Sequence, residues 1–185
     1  MAKLIYFMPT SLDGYIADDG NFDWSTPSEE AFAFITDLHR PIGTYLYGRK
    51  EYETMAVWET PEVIPDLMPA MLDFGRIWHG ADKIVYSKSR DTVSTPKTRL
   101  EREFHPQAVH ELKAQSPLDI SVGGPTLATH AIRTGLVDEH HLLVVPALLG
   151  GGTRVLPSNA PIRLDLLDER RFAKGMVYLR YHAQA

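Results

Sequence analysis

Near its start the chain carries five consecutive apolar residues, Leu4-Ile5-Tyr6-Phe7-Met8, which end at Pro9. A strand with one wet face alternates apolar and polar side chains, so an unbroken run of β-formers implies a strand covered on both faces. Such a strand belongs in the middle of a sheet with other elements layered above and below it. Later segments repeat the theme: residues 44–48, 83–87, 118–122 and 140–145 read as strands. Helical spacing occupies 27–39, 49–55, 105–115 and 127–134 between them, and a shorter helix at 71–78 follows Pro61, Pro65 and Pro69. Residues 11–21 hold two turn signals, Asp13-Gly14 and Asp19-Gly20, and read as a loop with a short strand. Two late segments, 163–167 and 176–182, suit an antiparallel hairpin. Alternating strands and helices with short connections predict an α/β fold of three αβα layers, with a mostly parallel sheet and a C-terminal antiparallel hairpin. No repeat or linker divides the 185 residues, so one domain over 1–185 is expected.

Composition narrows the function classes. A formal charge of -5 gives no basic field to concentrate nucleic acid, and a small-molecule partner is expected instead. The absence of cysteine removes disulfides, thiol nucleophiles and thiolate metal sites together, and fits a cytoplasmic setting. No apolar stretch approaches the roughly 18 residues of a membrane span, and the N-terminal run is too short for a signal peptide. His140-His141 point to opposite faces of a strand and His105 and His110 are misplaced for one helical face, so no metal site is expected. Neither a Gly-x-Ser-x-Gly elbow nor a Gly-x-x-x-x-Gly-Lys-Ser/Thr loop is present, which sets aside esterases and nucleotide hydrolases. Tyr45, Tyr47 and Tyr52 are read as packing residues.

In an open parallel sheet, ligands collect outside the carboxyl ends of the strands. Three such ends carry related residues: Gly48-Arg49-Lys50, Ser87-Lys88-Ser89 and Gly123-Gly124-Pro125-Thr126. Small residues beside backbone N–H groups or cations are what phosphate oxygens require. Each junction alone also reads as an ordinary strand end or solvated helix start; together they suggest a phosphorylated cofactor. Glycines at 123 and 124 permit close backbone approach, and a helix starting near Thr126 would aim its free N–H groups at a pyrophosphate. No Gly-x-Gly-x-x-Gly follows the first strand, so an ordinary dinucleotide fingerprint is missing.

An ordered set of segments resembles the dihydrofolate reductase superfamily. These are Ser11-Leu12-Asp13-Gly14, Gly48-Arg49 ahead of a helix, Ser87 after a strand, Val122-Gly123-Gly124, Val137-Asp138-Glu139, and Pro146 with Gly150-Gly151-Gly152. The likeness covers nearly the whole chain. It is most similar to the branch that includes the reductase domain of the bifunctional riboflavin-synthesis deaminase/reductase. The resemblance implies a dihydrofolate reductase-like fold and NADPH-dependent hydride transfer. By position, Arg49, Lys50 and Ser87-Lys88-Ser89 would hold the adenosine 2'-phosphate and its neighbours. Gly48 would open the helix carrying the first pair, Gly123-Gly124-Pro125-Thr126 would cradle the pyrophosphate, and Ile16 and Ala17 would border the nicotinamide.

Trp24-Ser25-Thr26-Pro27-Ser28-Glu29 is similar to the folate reductase segment whose acid assists protonation, which makes Glu29 a candidate catalytic acid. Its place three residues after Thr26 is equally that of a capping box. Asp13 is a candidate at the substrate edge and also half of a plain turn dipeptide. Riboflavin-pathway reductases carry a lysine in the first strand near a phosphorylated sugar; here Ile5-Tyr6-Phe7-Met8 offers no cation. Their deaminase half needs cysteine ligands, which this chain lacks. The expectation is an NADPH-dependent reductase of a small heterocyclic or carbonyl substrate, with a non-catalytic nucleotide- or metabolite-binding module on the same fold as the alternative. A homodimer is expected through apolar edges at 140–145 and 176–181.

Overall fold

A computed structural model describes residues 1–16 and 23–184. In chain order the strands are β1 (Leu4–Ser11), β2 (Tyr15–Ile16), β3 (Ile42–Gly48), β4 (Asp82–Tyr86), β5 (Thr98–Glu101), β6 (Asp119–Gly123), β7 (Glu139–Val145), β8 (Thr153–Arg154), β9 (Leu164–Arg171) and β10 (Val177–Ala183). The α-helices are α1 (Glu29–His39), α2 (Arg49–Met55), α3 (Pro69–Gly80), α4 (Pro106–Gln115) and α5 (Pro125–Arg133). The main sheet runs β5-β4-β3-β6-β1-β7-β10-β9, and β2 pairs separately with β8. Its first six strands are parallel, whereas β10 lies antiparallel to both β7 and β9. The fold is the expected three-layer α/β arrangement, closed at one edge by an antiparallel pair.

Alternate residues of each central strand feed opposite cores. Leu4, Tyr6 and Met8 pack with Leu46, Ile84 and Val122 under α4 and α5, whose Val109, Leu127 and Ile132 complete that layer. Ile5, Tyr45, Tyr47 and Val85 face the other way, against Phe32 of α1 and Phe74 and Trp78 of α3. Burial of each large apolar side chain stabilises by about 1.5–3 kcal/mol, so an uninterrupted apolar strand belongs only in this sandwiched position.

Several boundaries differ from the sequence expectations. Pro9 does not end β1, which continues to Ser11. Beyond Tyr6, among the described residues, the strand pairs only with β7, so a residue without an N–H is tolerated there. The cap of α1 is Ser28, whose hydroxyl accepts from the Ala31 N–H at 3.2 Å; Thr26 and Pro27 lie outside the helix. β5 was not anticipated, because Thr98-Arg99-Leu100-Glu101 is a short, polar edge strand without an apolar run. The strands proposed as dimer edges lie inside the sheet: β7 sits between β1 and β10, and β10 between β7 and β9. The free edge on that side is β9, which is exposed along its whole length.

Candidate active site

Two features of the parallel strands create a hollow at their carboxyl ends. β6 leaves the sheet at Gly123 and turns into α5, while its neighbour β1 runs on to Ser11. β3 and β4 likewise end at Gly48 and Tyr86, so the chain turns away from the same rim. A cleft of about 1010 Å³ opens there, and a smaller pocket of about 250 Å³ lies beside it on the α1 and α3 side of the sheet.

The larger cleft gathers most of the residues expected to touch a cofactor. Gly48, Arg49 and Lys50 line one wall, Ser87 and Lys88 another, Gly124, Pro125 and Thr126 the floor, and Ile16 the rim. Gly123 lines the adjoining pocket instead. Ser89 is not part of the lining of either, and Ala17 lies outside the described residues. Gly124 caps α5 at φ 82, in the left-handed region that favours glycine, and no side chain caps that helix. Its first bond runs from the Ala128 N–H to the Gly124 carbonyl at 3.0 Å, so the amides ahead of Ala128 have no acceptor within the helix.

Charge at the cleft is unevenly balanced. Lys88 pairs with Glu103 at 3.1 Å, and Arg90 with Glu53 at 2.9 Å. Among the described residues, no carboxylate lies within ion-pair distance of Arg49 or Lys50. Arg102, which the sequence did not single out, donates to the carbonyls of Arg90 at 2.6 Å and Ser87 at 3.4 Å and so fixes the 87–90 loop. The Ser87 hydroxyl accepts from the Arg90 N–H, which occupies it in the turn.

The two proposed acids occupy other places. Glu29 is an exposed residue at the first position of α1 and lines neither hollow, because capping by Ser28 turns it outward. Asp13 accepts from the Ser11 hydroxyl and from the N–H groups of Leu149 at 3.1 Å and Gly150 at 2.7 Å. The Ser11 hydroxyl first, then the Gly150 amide, hold its carboxyl down at about 2. Asp13 therefore ties the β1–β2 turn to the glycine-rich segment before β8. Gly152 sits at φ 110, where a Cβ would meet the Ile16 carbonyl oxygen at 2.7 Å, so only glycine allows β2 and β8 to approach as they do.

Among the described residues, Glu51, in the first turn of α2, is the carboxylate that reaches the junction of the two hollows, lining both along with Ile16 and Thr54. Its stem packs on the glycine pair: a Cβ at Gly124 would lie 3.0 Å from Glu51 Cβ. Burial pushes its carboxyl up to about 7. Sequence inspection passed over it because its surroundings are supplied by Gly123-Gly124, far along the chain. The one available signal was an acid in the first turn of a helix leaving a strand end.

Fold and site together define a dihydrofolate reductase-like α/β protein, with its hollow at the carboxyl rim of a parallel sheet. Residues 2–178 match the RibD C-terminal domain, and the chain belongs to that family. It is 28% identical over 183 residues to the uncharacterized protein YyaP of Bacillus subtilis, covering 97% of this chain and 94% of that relative. A protein of Shewanella sp. PV-4 named for riboflavin biosynthesis has a similar structure, with a TM-score of 0.77 at 22% identity and full coverage of both chains. Dihydrofolate reductase of Enterococcus faecalis complexed with NADP(H) shares the fold at a TM-score of 0.66 and 14% identity, covering 99% of this chain and 97% of that one. Among the described residues, no helix is long and apolar enough to cross a membrane.

Proposed function

We propose that this chain is an NADPH-dependent reductase of a small acceptor. The observation that carries the proposal is convergence: the open N-terminus of α5, the Gly124 cradle, and Arg49 and Lys50, unpaired among the described residues, all face one cleft, which adjoins an apolar pocket. Pyrophosphate oxygens would meet the amides at the start of α5, where the helix dipole and free N–H groups favour an anion. Arg49 and Lys50 are free to pair with a 2'-phosphate, a group that distinguishes NADPH from NADH. Tyr86 and Phe104, whose rings stand 5.5 Å apart, offer an apolar wall for an adenine. When bound, NADPH supplies a hydride. The chain's own part is to hold the nicotinamide near Ile16, exclude water from the neighbouring pocket and orient the acceptor.

Calorimetric titration with NADPH and NADH tests this directly. Wild-type protein is expected to prefer NADPH, and Arg49→Ala with Lys50→Ala to erase about 10- to 100-fold of that preference, the worth of losing a hydrogen bond to a charged group. Absence of NADPH binding refutes the proposal. Binding without NADPH consumption across pterin, pyrimidine and carbonyl acceptors favours a nucleotide-binding module. The proposal includes a cytoplasmic homodimer, with β9 as its seam: an edge strand with exposed Leu164, Leu166 and Leu167 is a template for pairing. Sedimentation equilibrium returning only monomer would remove that part.

A further inference from the structure

The smaller pocket is chemically distinct from the cleft beside it. Its walls include Phe7, Phe32, Tyr45, Trp58 and Phe74, and among its described lining residues there is no lysine or arginine. His39, also on its wall, bonds to the Tyr45 hydroxyl through Nδ1 at 3.1 Å, and burial first, then the neighbouring His141, hold its pKa down at about 4. Among its described residues the pocket thus holds no cation at neutral pH, and a phosphate or carboxylate entering it would lose its hydration without a cationic partner there. A volume of about 250 Å³ equals about eight water molecules' share of the liquid, enough for one ring or a compact fused pair and too little for a nucleotide.

Among the described lining residues, one ionisable carboxyl opens onto this space. Glu51 stands where the pocket meets the cleft, and among the described residues nothing donates a hydrogen bond to it. The titratable groups facing it from the sheet are Tyr6 of β1, pushed well up by burial and then by Glu51, and Tyr47 of β3, pushed well up by burial, then by Tyr45 and Glu51; both are therefore neutral. Tyr45 is raised by burial as well, while Arg49, Lys50 and Glu53 are the charged neighbours on its own helix.

We propose that the small pocket takes an uncharged, unsaturated ring compound without a phosphate, and that Glu51 is the group that gives it a proton. The assignment rests on the NADPH reading for the source of hydride. As the C=N or C=O π bond of the acceptor breaks, hydride from the cofactor forms the new C–H bond, and the displaced electron pair on nitrogen or oxygen takes the proton from Glu51. The reduced acceptor and the oxidised cofactor result, and the Glu51 carboxylate regains a proton from water in the cleft. An acid with a pKa near neutrality retains a protonated population at working pH and can still release its proton.

Equilibrium dialysis of the full chain with quinoxaline and quinoxaline-2-carboxylate tests this without turnover. Quinoxaline is expected to bind more tightly than its carboxylate at about pH 6, and its affinity to fall about tenfold or more by about pH 9 as Glu51 ionises. Glu51→Gln should abolish that pH dependence, and Glu51→Asp should retain it. Equal or tighter binding of the carboxylate, an unchanged pH profile in Glu51→Gln, like behaviour of the two variants, or no binding of either probe overturns the assignment. Fluorescence titration of the same samples with NADPH reports separately on the cofactor: wild-type protein that binds quinoxaline but not NADPH refutes the reductase reading and leaves the pocket's selectivity standing.

Discussion

Replacing Gly123 by alanine places one methyl group where the fold leaves no room. The added Cβ would lie 2.8 Å from Cε1 and 2.9 Å from Cδ1 of Tyr47, and 3.1 Å from Cγ of Glu51. Backbone strain is not involved, because Gly123 does not adopt a positive φ. The ring it strikes cannot swing aside cheaply. Tyr47 is 2% exposed, its ring stacks on that of Tyr45 at 5.6 Å, and its hydroxyl accepts a hydrogen bond from Trp78 Nε1 at 3.1 Å. Overpacking of a core costs about 1–3 kcal/mol, and the locked ring puts this case near the upper end. For a chain of this size each kcal/mol moves the melting temperature by about 2–4 °C, so calorimetry should find a drop of about 5–10 °C. Glu51 must shift with the ring, so quinoxaline binding should weaken in the same variant. A melting temperature within about 2 °C of wild type would refute the close packing of β6 against Tyr47 on which the Glu51 placement depends.

Two further outcomes follow from the hydrogen-bond networks. Asp13→Asn keeps the shape of the turn and removes the charge that holds the Leu149 and Gly150 amides; amide exchange at Gly150 should accelerate and NADPH should bind more weakly, whereas unchanged exchange would show that the latch is held by β2 and β8 alone. Glu139, 2% exposed in β7, binds Lys3, Arg180 and His141; burial alone would raise its pKa, but those hydrogen bonds outweigh it and hold the carboxyl at about 2 against an ordinary 4.5. Its contribution, at most about 3 kcal/mol and less for the half-solvated Lys3 arm, is present above about pH 4.5 and lost as pH falls toward 2. Urea midpoints measured down that range should decline more steeply in wild type than in Glu139→Gln, and parallel curves would refute the network.

The parts of the fold legible in the sequence are those where local chemistry and global position agree. The apolar run at Leu4–Met8 and the short apolar segments at β3, β4, β6 and β7 could be satisfied only in a sandwiched sheet, and the glycine pair Gly123-Gly124 suits the point where β6 ends. Elements whose sequence is indifferent were missed or misjudged. The charged half of β9, Asp168-Glu169-Arg170-Arg171, is compatible with a strand because it lies at an exposed edge where those side chains keep their water. The site divides the same way. The phosphate-type residues sit at strand ends, where the topology brings them together automatically. Glu51 and Arg102 owe their positions to long-range contacts: one to a glycine pair that closes over it, the other to three carbonyls of a loop that no pattern marks. Glu29 resembles a catalytic acid by local motif, yet the helix is capped at Ser28, two positions beyond Thr26, which leaves Glu29 exposed at its first position. Local capping thus leaves Glu29 at the surface, while the long-range approach of Gly123 and Gly124 sets the half-buried Glu51 where the two hollows meet.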